Sequence, residues 1–172
     1  MNIKHLIEST AAGKNPPTPV HAARTAAAAT ASLLVARLFG LPEYYWAAIS
    51  CMIVMQSTLG AALPVSVQRL VGAAIGTAAG ALVGSFFGAS ILAFAVSVFA
   101  LGIVCWALRV DRSAYRYAGI TLAVVMLINR NQSAPIVALH RFIEVSLGIA
   151  VALALTTAWP ERPRATARQG SG

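Results

Sequence analysis

The stretch RLVGAAIGTAAGALVGSFFG, residues 69–88, repeats a glycine at every fourth position in otherwise apolar company. The row consists of Gly72, Gly76, Gly80, Gly84 and Gly88. In water each glycine inside a helix costs about 1 kcal/mol relative to alanine, so the pattern is unfavourable for a solvated helix. In lipid, small residues let two helix backbones approach closely, and the row predicts a shallow groove about 24 Å long for a neighbouring helix. The groove could serve packing within one subunit, contact between subunits, or a narrow path for a permeant molecule.

The composition indicates a membrane protein. Of the 172 residues, 58% are hydrophobic and only 10% are charged, and the mean hydropathy is +0.74. Soluble domains carry about 25% charged residues, so this chain has too few charges to cover a water-exposed surface. The net charge of +8 comes from lysines and arginines scattered singly between apolar runs, without the basic stripe that favours nucleic-acid binding. We therefore predict an all-α polytopic membrane protein that binds no nucleic acid.

Six stretches are candidates for transmembrane helices. They cover roughly residues 21–40, 46–63, 69–87, 90–108, 115–129 and 139–159. The links between them, such as 64–68, are short and favour antiparallel neighbours. The polar segments 1–20 and 160–172 are predicted to be cytoplasmic tails, which leaves residues 21–159 as one six-helix membrane domain.

The distribution of positive charge predicts the orientation in the membrane. With both termini in the cytoplasm of a bacterial-type cell, ten of the thirteen Lys and Arg fall on the cytoplasmic side of the inner membrane. Only Arg37, Arg130 and Arg141 then lie on the outer side. The basic tails and the 109–116 loop would also face anionic membrane lipid.

The two halves of the chain, about 21–88 and 90–159, resemble one another in sequence. Matched residues are 71 positions apart at first, and 72 apart after one extra residue in the second half. The matched pairs include Trp46 with Tyr117, Arg69 with Arg141, and Gly76 with Gly148. Because each half holds three predicted spans, the halves must cross the bilayer in opposite directions. Inverted repeats of this kind are a recurring plan of transporters.

Three charged residues are candidates for substrate binding. Arg69 heads the third span and Arg141 the sixth, each near a helix N-terminus where the backbone dipole favours anions. A guanidinium at each mouth of a path could bind an organic anion; alternatively, both arginines reach toward lipid head groups and only set the topology. Glu144 follows Arg141 by three residues on one helix face, so it forms either a structural ion pair or a proton-sensitive gate.

The sequence shows no constellation for catalysis or metal binding. Cys51 and Cys105 lie in apolar runs and are interpreted as buried reduced thiols. We therefore expect no enzymatic activity, no cofactor and no metal. Gln56, Ser57 and Thr58 could line a path or bond a neighbouring helix, and aromatic residues near the span ends are interpreted as an interfacial belt. This belt comprises Tyr44, Tyr45, Trp46, Tyr115, Tyr117 and Trp159.

Two blocks of the sequence are similar to a known family. YYWAAISCMIVMQSTLGAALPVSVQRLVGAAIGTAAGALVG (residues 44–84) resembles the membrane block of the fusaric acid resistance-like (FUSC) integral membrane transporters, and HRFIEVSLGIAVALA (residues 140–154) resembles the sixth span of that family. The resemblance is carried by Trp46, Arg69, Gly72, Gly76 and Gly80 in the first block and by Arg141, Phe142, Glu144 and Gly148 in the second.

The resemblance implies a role in the export of aromatic carboxylic acids. It also implies distant similarity to plant aluminium-activated malate transporters, in which basic residues line an anion path through a dimer. By that resemblance Arg69 and Arg141 would bind the anion. A chain with a single membrane block would then work as a homodimer.

The expected function is therefore transport or channel activity for organic or aromatic acid anions, with efflux as its direction. A second hypothesis is a non-transporting accessory subunit that docks onto a partner, such as an unknown adaptor protein, through the glycine groove. A third is a glycine-lined pore without substrate selectivity.

Overall fold

The computed structural model of the chain describes residues 18–55, 58–128 and 132–160, which form six α-helices and no β-strand. The helices are α1 (Pro19–Leu38), α2 (Tyr45–Val54), α3 (Leu59–Phe87), α4 (Ile91–Ala107), α5 (Arg112–Leu127) and α6 (Ala134–Ala158). The all-α prediction is therefore confirmed for this part of the chain. The tails predicted for 1–20 and 160–172 lie almost entirely outside the described residues.

The boundary between the second and third helices differs from the prediction. α2 has only 10 residues and ends at Val54, well before the end of the predicted span. α3 begins at Leu59 rather than at residue 69 and runs for 29 residues. The reason for the difference is Pro64. Proline lacks a backbone N–H and usually interrupts a helix, so the sequence predicted a link there. In the structure Pro64 lies within the first turns of α3. The 64–68 segment is therefore helical and not a link.

Side-chain caps define where several helices begin. A hydroxyl or carboxylate oxygen accepts a backbone N–H at the start of α1, α3, α4 and α5. These N-cap residues are Thr18, Thr58, Ser90 and Asp111. Each bond satisfies a donor that the first turn leaves unpaired and is worth about 1 kcal/mol. Thr58 thus fixes the start of α3 only four residues after the end of α2.

α3 and α6 are the long central helices of the bundle, and they pack against one another. α5 packs along α3 and α2 packs along α6, while α1 contacts both α2 and α6. The largest core cluster lies between these elements and includes Cys51, Val54, Ala73, Val145 and Ile149. α4 lies at the edge of the bundle, where it contacts mainly α5.

The glycine row of α3 receives α5. A Cβ atom added to Gly72, Gly76 or Gly80 would lie within 3.0 Å of an α5 atom. For Gly76 the nearest atom is the backbone carbonyl oxygen of Ala118. The two helices therefore approach at a separation that only glycine permits. Packing within one subunit is the role of these three glycines in the structure.

The groove is shorter than the sequence predicts. A Cβ on Gly84 would lie 3.0 Å from the side chain of Ala134, at the start of α6, and only in ordinary contact, at 3.9 Å, with Met126 of α5. Gly88 lies just beyond the last helical residue, with a φ of +57°, and an added Cβ there would meet no atom of the described residues within 4 Å. Glycine is favoured at this position because the chain leaves the helix with a positive φ, and the described residues give Gly88 no helix-packing contact.

Length and composition identify α3 and α6 as helices able to cross a membrane. α2 and α4 are apolar but shorter, with 10 and 17 residues. Large apolar side chains such as Ile91, Leu92, Phe99 and Trp106 are exposed along α4, whereas several charged side chains are buried in the bundle. This distribution is typical of a protein whose outer surface is solvated by lipid.

We expect Gly76→Ala to destabilise the protein, because the added methyl group would collide with the Ala118 carbonyl and force α3 and α5 apart. The expected loss is about 1–3 kcal/mol, the usual cost of overpacking a close contact. The measurement is the free energy of unfolding of the purified protein in mixed detergent micelles.

Gly119→Ala is the matched control, because Gly119 lies inside α5 and an added Cβ meets no atom of the described part of the chain within 4 Å. This change should leave the stability unchanged or raise it by up to about 1 kcal/mol through better helix propensity. Equal effects of the two substitutions would contradict the close contact between α3 and α5.

Candidate functional site

Three arginines are buried in the helical bundle. Arg24 of α1 is fully inaccessible, and Arg69 of α3 and Arg141 of α6 are each only 2% exposed. Burial of an uncompensated charge costs several kcal/mol, so each guanidinium needs acceptors within the protein or from a ligand. The surroundings of the three arginines therefore separate structural residues from candidates for substrate binding.

Arg24 links the first turns of α1 to the end of α6. Its Nη1 donates a hydrogen bond of 2.9 Å to the carbonyl oxygen of Trp159, directly after α6. Carbonyl groups at a helix C-terminus lack partners within the helix, and a basic side chain is a favourable donor to them. Arg24 is therefore a structural residue that ties α1 to the end of α6.

Arg141 is bound by two carboxylates. Its Nη2 lies 2.5 Å from an oxygen of Glu43, in the link before α2, and its Nη1 lies 3.3 Å from Glu144 on the next turn of α6. The other Glu144 oxygen accepts a 3.0 Å hydrogen bond from the backbone N–H of Glu43. The guanidinium also lies 4.1 Å from the centre of the Trp46 ring. The cluster compensates the charge of Arg141 and ties the start of α2 to α6.

Arg69 has no carboxylate partner among the described residues. Its Nη2 donates a 3.2 Å hydrogen bond to Ser50 Oγ of α2, and its guanidinium lies 4.9 Å from the centre of the Tyr117 ring of α5. Its Nε and Nη1 are buried without a hydrogen-bond partner in the described chain. Arg69 is also within electrostatic reach of Arg141, which carries the same charge. Arg69 is therefore a buried cation with donors that the described residues leave unpaired.

The two arginines lie close together in the interior of the bundle. Arg141 stacks on Trp46 and Arg69 bonds Ser50, and these two α2 residues are one helical turn apart, about 6 Å along the axis. Arg69 lies ten residues beyond the first residue of α3, and Arg141 lies seven beyond the first residue of α6. Both helices begin earlier than the sequence predicts. The predicted positions of the two arginines at helix N-termini are therefore wrong.

The internal repeat of the sequence reappears in the contacts of the arginines. Arg69 stacks on Tyr117, and at the equivalent positions Arg141 stacks on Trp46. The third helix of each half thus pairs with the second helix of the other half, α3 with α5 and α6 with α2.

Two glycines at matched positions of the repeat, Gly76 and Gly148, also make matching contacts. A Cβ on Gly76 would collide with the α5 backbone and with the side chain of Thr121. A Cβ on Gly148 would collide with the α2 backbone and with the side chain of Ser50. Ser50 and Thr121 are 71 residues apart, which is the offset of the repeat. The contact of α3 with α5 therefore matches the contact of α6 with α2, as a twofold rotation between the halves would require.

The repeat is broken at the positions that carry negative charge. At the offset of 72, Glu144 corresponds to Gly72, and at the offset of 71, Glu43 corresponds to Ala114. Gly72 and Ala114 lie against one another at the contact of α3 with α5. The arginine of the second half thus has two counter-charges, and the equivalent Arg69 has a glycine and an alanine in their place.

Sequence reasoning placed Glu144 on the helix face of Arg141 and left a structural ion pair or a proton-sensitive gate as alternatives, and the ion pair is present in the structure. It missed Glu43, and it assigned Trp46 and Tyr117 to an interfacial belt although both rings contact buried guanidinium groups. A signal for Glu43 existed in the sequence. It is one of only five acidic residues, and it stands three residues before the tryptophan that opens the repeat.

The remaining candidates contribute no further site. Gln56 and Ser57 lie outside the described residues, and Thr58 is the N-cap of α3. Cys51 and Cys105 are buried free thiols. Within the ranges that the structure describes, no group of three His, Cys, Asp or Glu side chains is placed to hold a metal ion.

A helical bundle with apolar outer faces and buried arginines has the features of a membrane protein. The family described as fusaric acid resistance protein-like matches residues 28–155, a range that includes Arg69 and the ion-pair cluster of Glu43, Arg141 and Glu144. The chain belongs to this family, whose members are membrane transport proteins rather than enzymes. No curated protein and no solved structure matches the chain.

The two central arginines should respond in opposite ways to loss of their charge. Arg69→Met should leave the free energy of unfolding unchanged or raise it by about 1–2 kcal/mol, because an uncompensated buried charge is replaced by an apolar group. Arg141→Met should lower it by about 3 kcal/mol or more, because two carboxylates lose their buried partner. Unfolding titrations in mixed micelles measure both values, and equal destabilisation would contradict this division of roles.

Proposed function

We propose that this protein is a membrane transport subunit for organic anions and that Arg69 is the residue that binds the anion. The observation that carries the proposal is the state of its guanidinium, which is buried and has two donor nitrogens without a partner among the described residues. Such a charge destabilises the bundle unless something compensates it, and an anionic substrate would do so. Loss of stability at a functional residue is a common cost of activity.

A carboxylate is the chemical group best matched to this site. A guanidinium binds carboxylates through charge-assisted hydrogen bonds, and the unpaired donors of Arg69 can take part. The hydroxyl of Ser50 supplies a further polar group beside the same guanidinium. We therefore propose organic acids as substrates, with aromatic acids as the subset that the family resemblance suggests and efflux as the direction.

Arg141 and Glu144 have a structural role in this proposal. The carboxylates of Glu43 and Glu144 already occupy the guanidinium of Arg141, so a substrate would have to displace a buried ion pair to bind there. Their cluster instead holds α2 against α6 and keeps Ser50 and Trp46 in position next to the arginines. The substrate-binding set expected from the sequence is thereby reduced to Arg69.

The short α2 supports a transport role. Its 10 residues extend about 15 Å, which is half of the hydrocarbon thickness, so α2 alone is too short to cross the membrane. Met55 already has an extended backbone, with a ψ of 113°. Interrupted spans of this kind are tolerated where protein or water surrounds them, and they are frequent at the substrate sites of transporters.

We propose that the six helices cross the inner membrane as two inverted three-helix repeats, with both termini in the cytoplasm. Three arginines that entered the charge count, Arg24, Arg69 and Arg141, are buried and do not act as loop charges. Without them, eight of the remaining ten Lys and Arg fall on the cytoplasmic side, so the bias still favours this orientation.

The rival hypotheses based on the glycine groove lose their support. α5 of the same chain covers Gly72, Gly76 and Gly80, so the groove is filled. A partner protein cannot dock there, and a permeant molecule cannot pass along it, without displacing α5. A homodimer remains part of the proposal on the strength of the family resemblance, with its interface on another face.

Arg69→Gln should reduce carboxylate flux at least tenfold in proteoliposomes, because it removes the charge that binds the substrate. The flux is measured with a panel of aromatic and aliphatic carboxylates and compared with that of Arg37→Gln, which changes an exposed arginine at the end of α1. Ala114→Glu is a second test, because it places a carboxylate at the position equivalent to Glu43 and should neutralise Arg69. Normal flux in Arg69→Gln would refute its role.

Single cysteines at Phe39 and Leu108, which are the exposed C-cap residues of α1 and α4, should lie on opposite sides of the membrane. With Cys51 and Cys105 replaced by alanine, a membrane-impermeant maleimide added to intact cells should label Phe39→Cys and spare Leu108→Cys. Labelling of both positions from the same side would contradict the inverted arrangement.

A further inference from the structure

A groove of about 910 Å³ runs between the second half of α4 and the start of α5. Its walls are mainly apolar and include Phe99 and Trp106 of α4 and Tyr115 of α5. Arg109 and Arg112 line its end, in the turn that joins the two helices. The groove is therefore apolar along its length and cationic at one end, and it lies on the outside of the bundle, away from Arg69.

Arg109 has a backbone conformation that side chains rarely adopt. Its φ of +53° makes it the one non-glycine residue with a positive φ in the described chain. The equivalent turn after α1 has the same pattern of backbone hydrogen bonds, and there the residue at this position is Gly40, with a φ of +66°. Glycine is the usual residue at this position after a helix. The arginine is therefore present against the preference of the backbone, which indicates a role for its side chain.

The side chains of Arg109 and Arg112 are exposed, and neither has a hydrogen-bond or ion-pair partner in the part of the chain that the structure describes. The neighbouring carboxylate of Asp111 caps α5 by accepting a 2.8 Å hydrogen bond from the N–H of Ser113. Trp106, which is 81% exposed, lies at the same end of the groove. Tryptophan next to arginine is typical of the interface between membrane and water.

We infer that this groove binds an anionic phospholipid, with the phosphate at Arg109 and Arg112 and an acyl chain against Phe99 and Trp106. Phe99 and Trp106 are about 10 Å apart along α4, so the apolar wall can cover much of one chain. An uncharged lipid would fill the wall but leave both guanidinium groups without an anion. The complementarity of charge at one end and of apolar surface along the rest favours a lipid that has both features.

The test uses tryptophan fluorescence of the full chain in phosphatidylcholine vesicles that contain either brominated phosphatidylglycerol or brominated phosphatidylcholine. A brominated chain in the groove quenches Trp106, and a Trp106→Phe variant isolates this contribution from those of Trp46 and Trp159. The wild-type protein should favour the anionic lipid by about 25-fold, because each of the two arginines near the membrane surface contributes a factor of about five.

Arg109→Gly separates lipid binding from a structural role of the arginine. Because glycine suits a positive φ, this variant should keep or raise the thermal unfolding temperature while its preference for the anionic lipid falls about fivefold. Arg112→Gln should lower the preference by a similar factor without the gain in stability. Arg37→Gln, which changes an exposed arginine at the end of α1, should leave the preference unchanged.

Equal quenching of Trp106 by the two lipids in the wild-type protein would overturn the site. An unchanged preference in Arg109→Gly would do the same. A third arm adds inorganic phosphate to vesicles without anionic lipid. Protection of the protein by phosphate, together with no preference between the brominated lipids, would indicate a site for small anions and also overturn the proposal.

Discussion

The burial of guanidinium groups in an apolar helical bundle is the constraint on which the rest of this structure depends. Water cannot screen a charge there, so the protein or a ligand must provide the acceptors. For Arg141 the protein provides the carboxylates of Glu43 and Glu144. For Arg69 the described residues provide one hydroxyl and one aromatic face. In our proposal this difference separates Arg141, which holds helices together, from Arg69, which binds an organic anion.

Close helix contacts keep both arginines away from lipid. Gly76 lies seven residues after Arg69, and Gly148 lies seven residues after Arg141, so each arginine has a glycine contact two turns further along its own helix. At these glycines the partner helix approaches until its backbone carbonyl would touch an added Cβ. The partner helix is thereby held beside the arginine, and its aromatic ring covers the guanidinium.

The two halves of the chain share a plan of contacts but differ in chemistry at chosen positions. Where the second half has Glu144, the first has Gly72, and where the turn after α1 has Gly40, the turn after α4 has Arg109. In our proposals each difference creates a binding site. Arg69 binds the substrate in the interior, and Arg109 binds lipid at the surface. In these proposals the contacts that both halves share hold the helices together, and the positions at which the halves differ form the binding sites.

The sequence by itself determined the helical class, the close contact at the glycine row and the position of Glu144 on the same helix face as Arg141. Each of these follows from composition or from spacing along one helix, where distance is fixed by geometry. The helix ends were predicted less well. Pro64, which lacks a backbone N–H, predicted a break before α3, but the helix begins at its N-cap Thr58 and continues through Pro64. Only the tertiary structure showed that Arg141 has a second carboxylate partner, Glu43, and that Arg69 has none among the described residues. Arg141 meets Glu43, which is 98 residues away, and spacing within a helix carries no information about that contact.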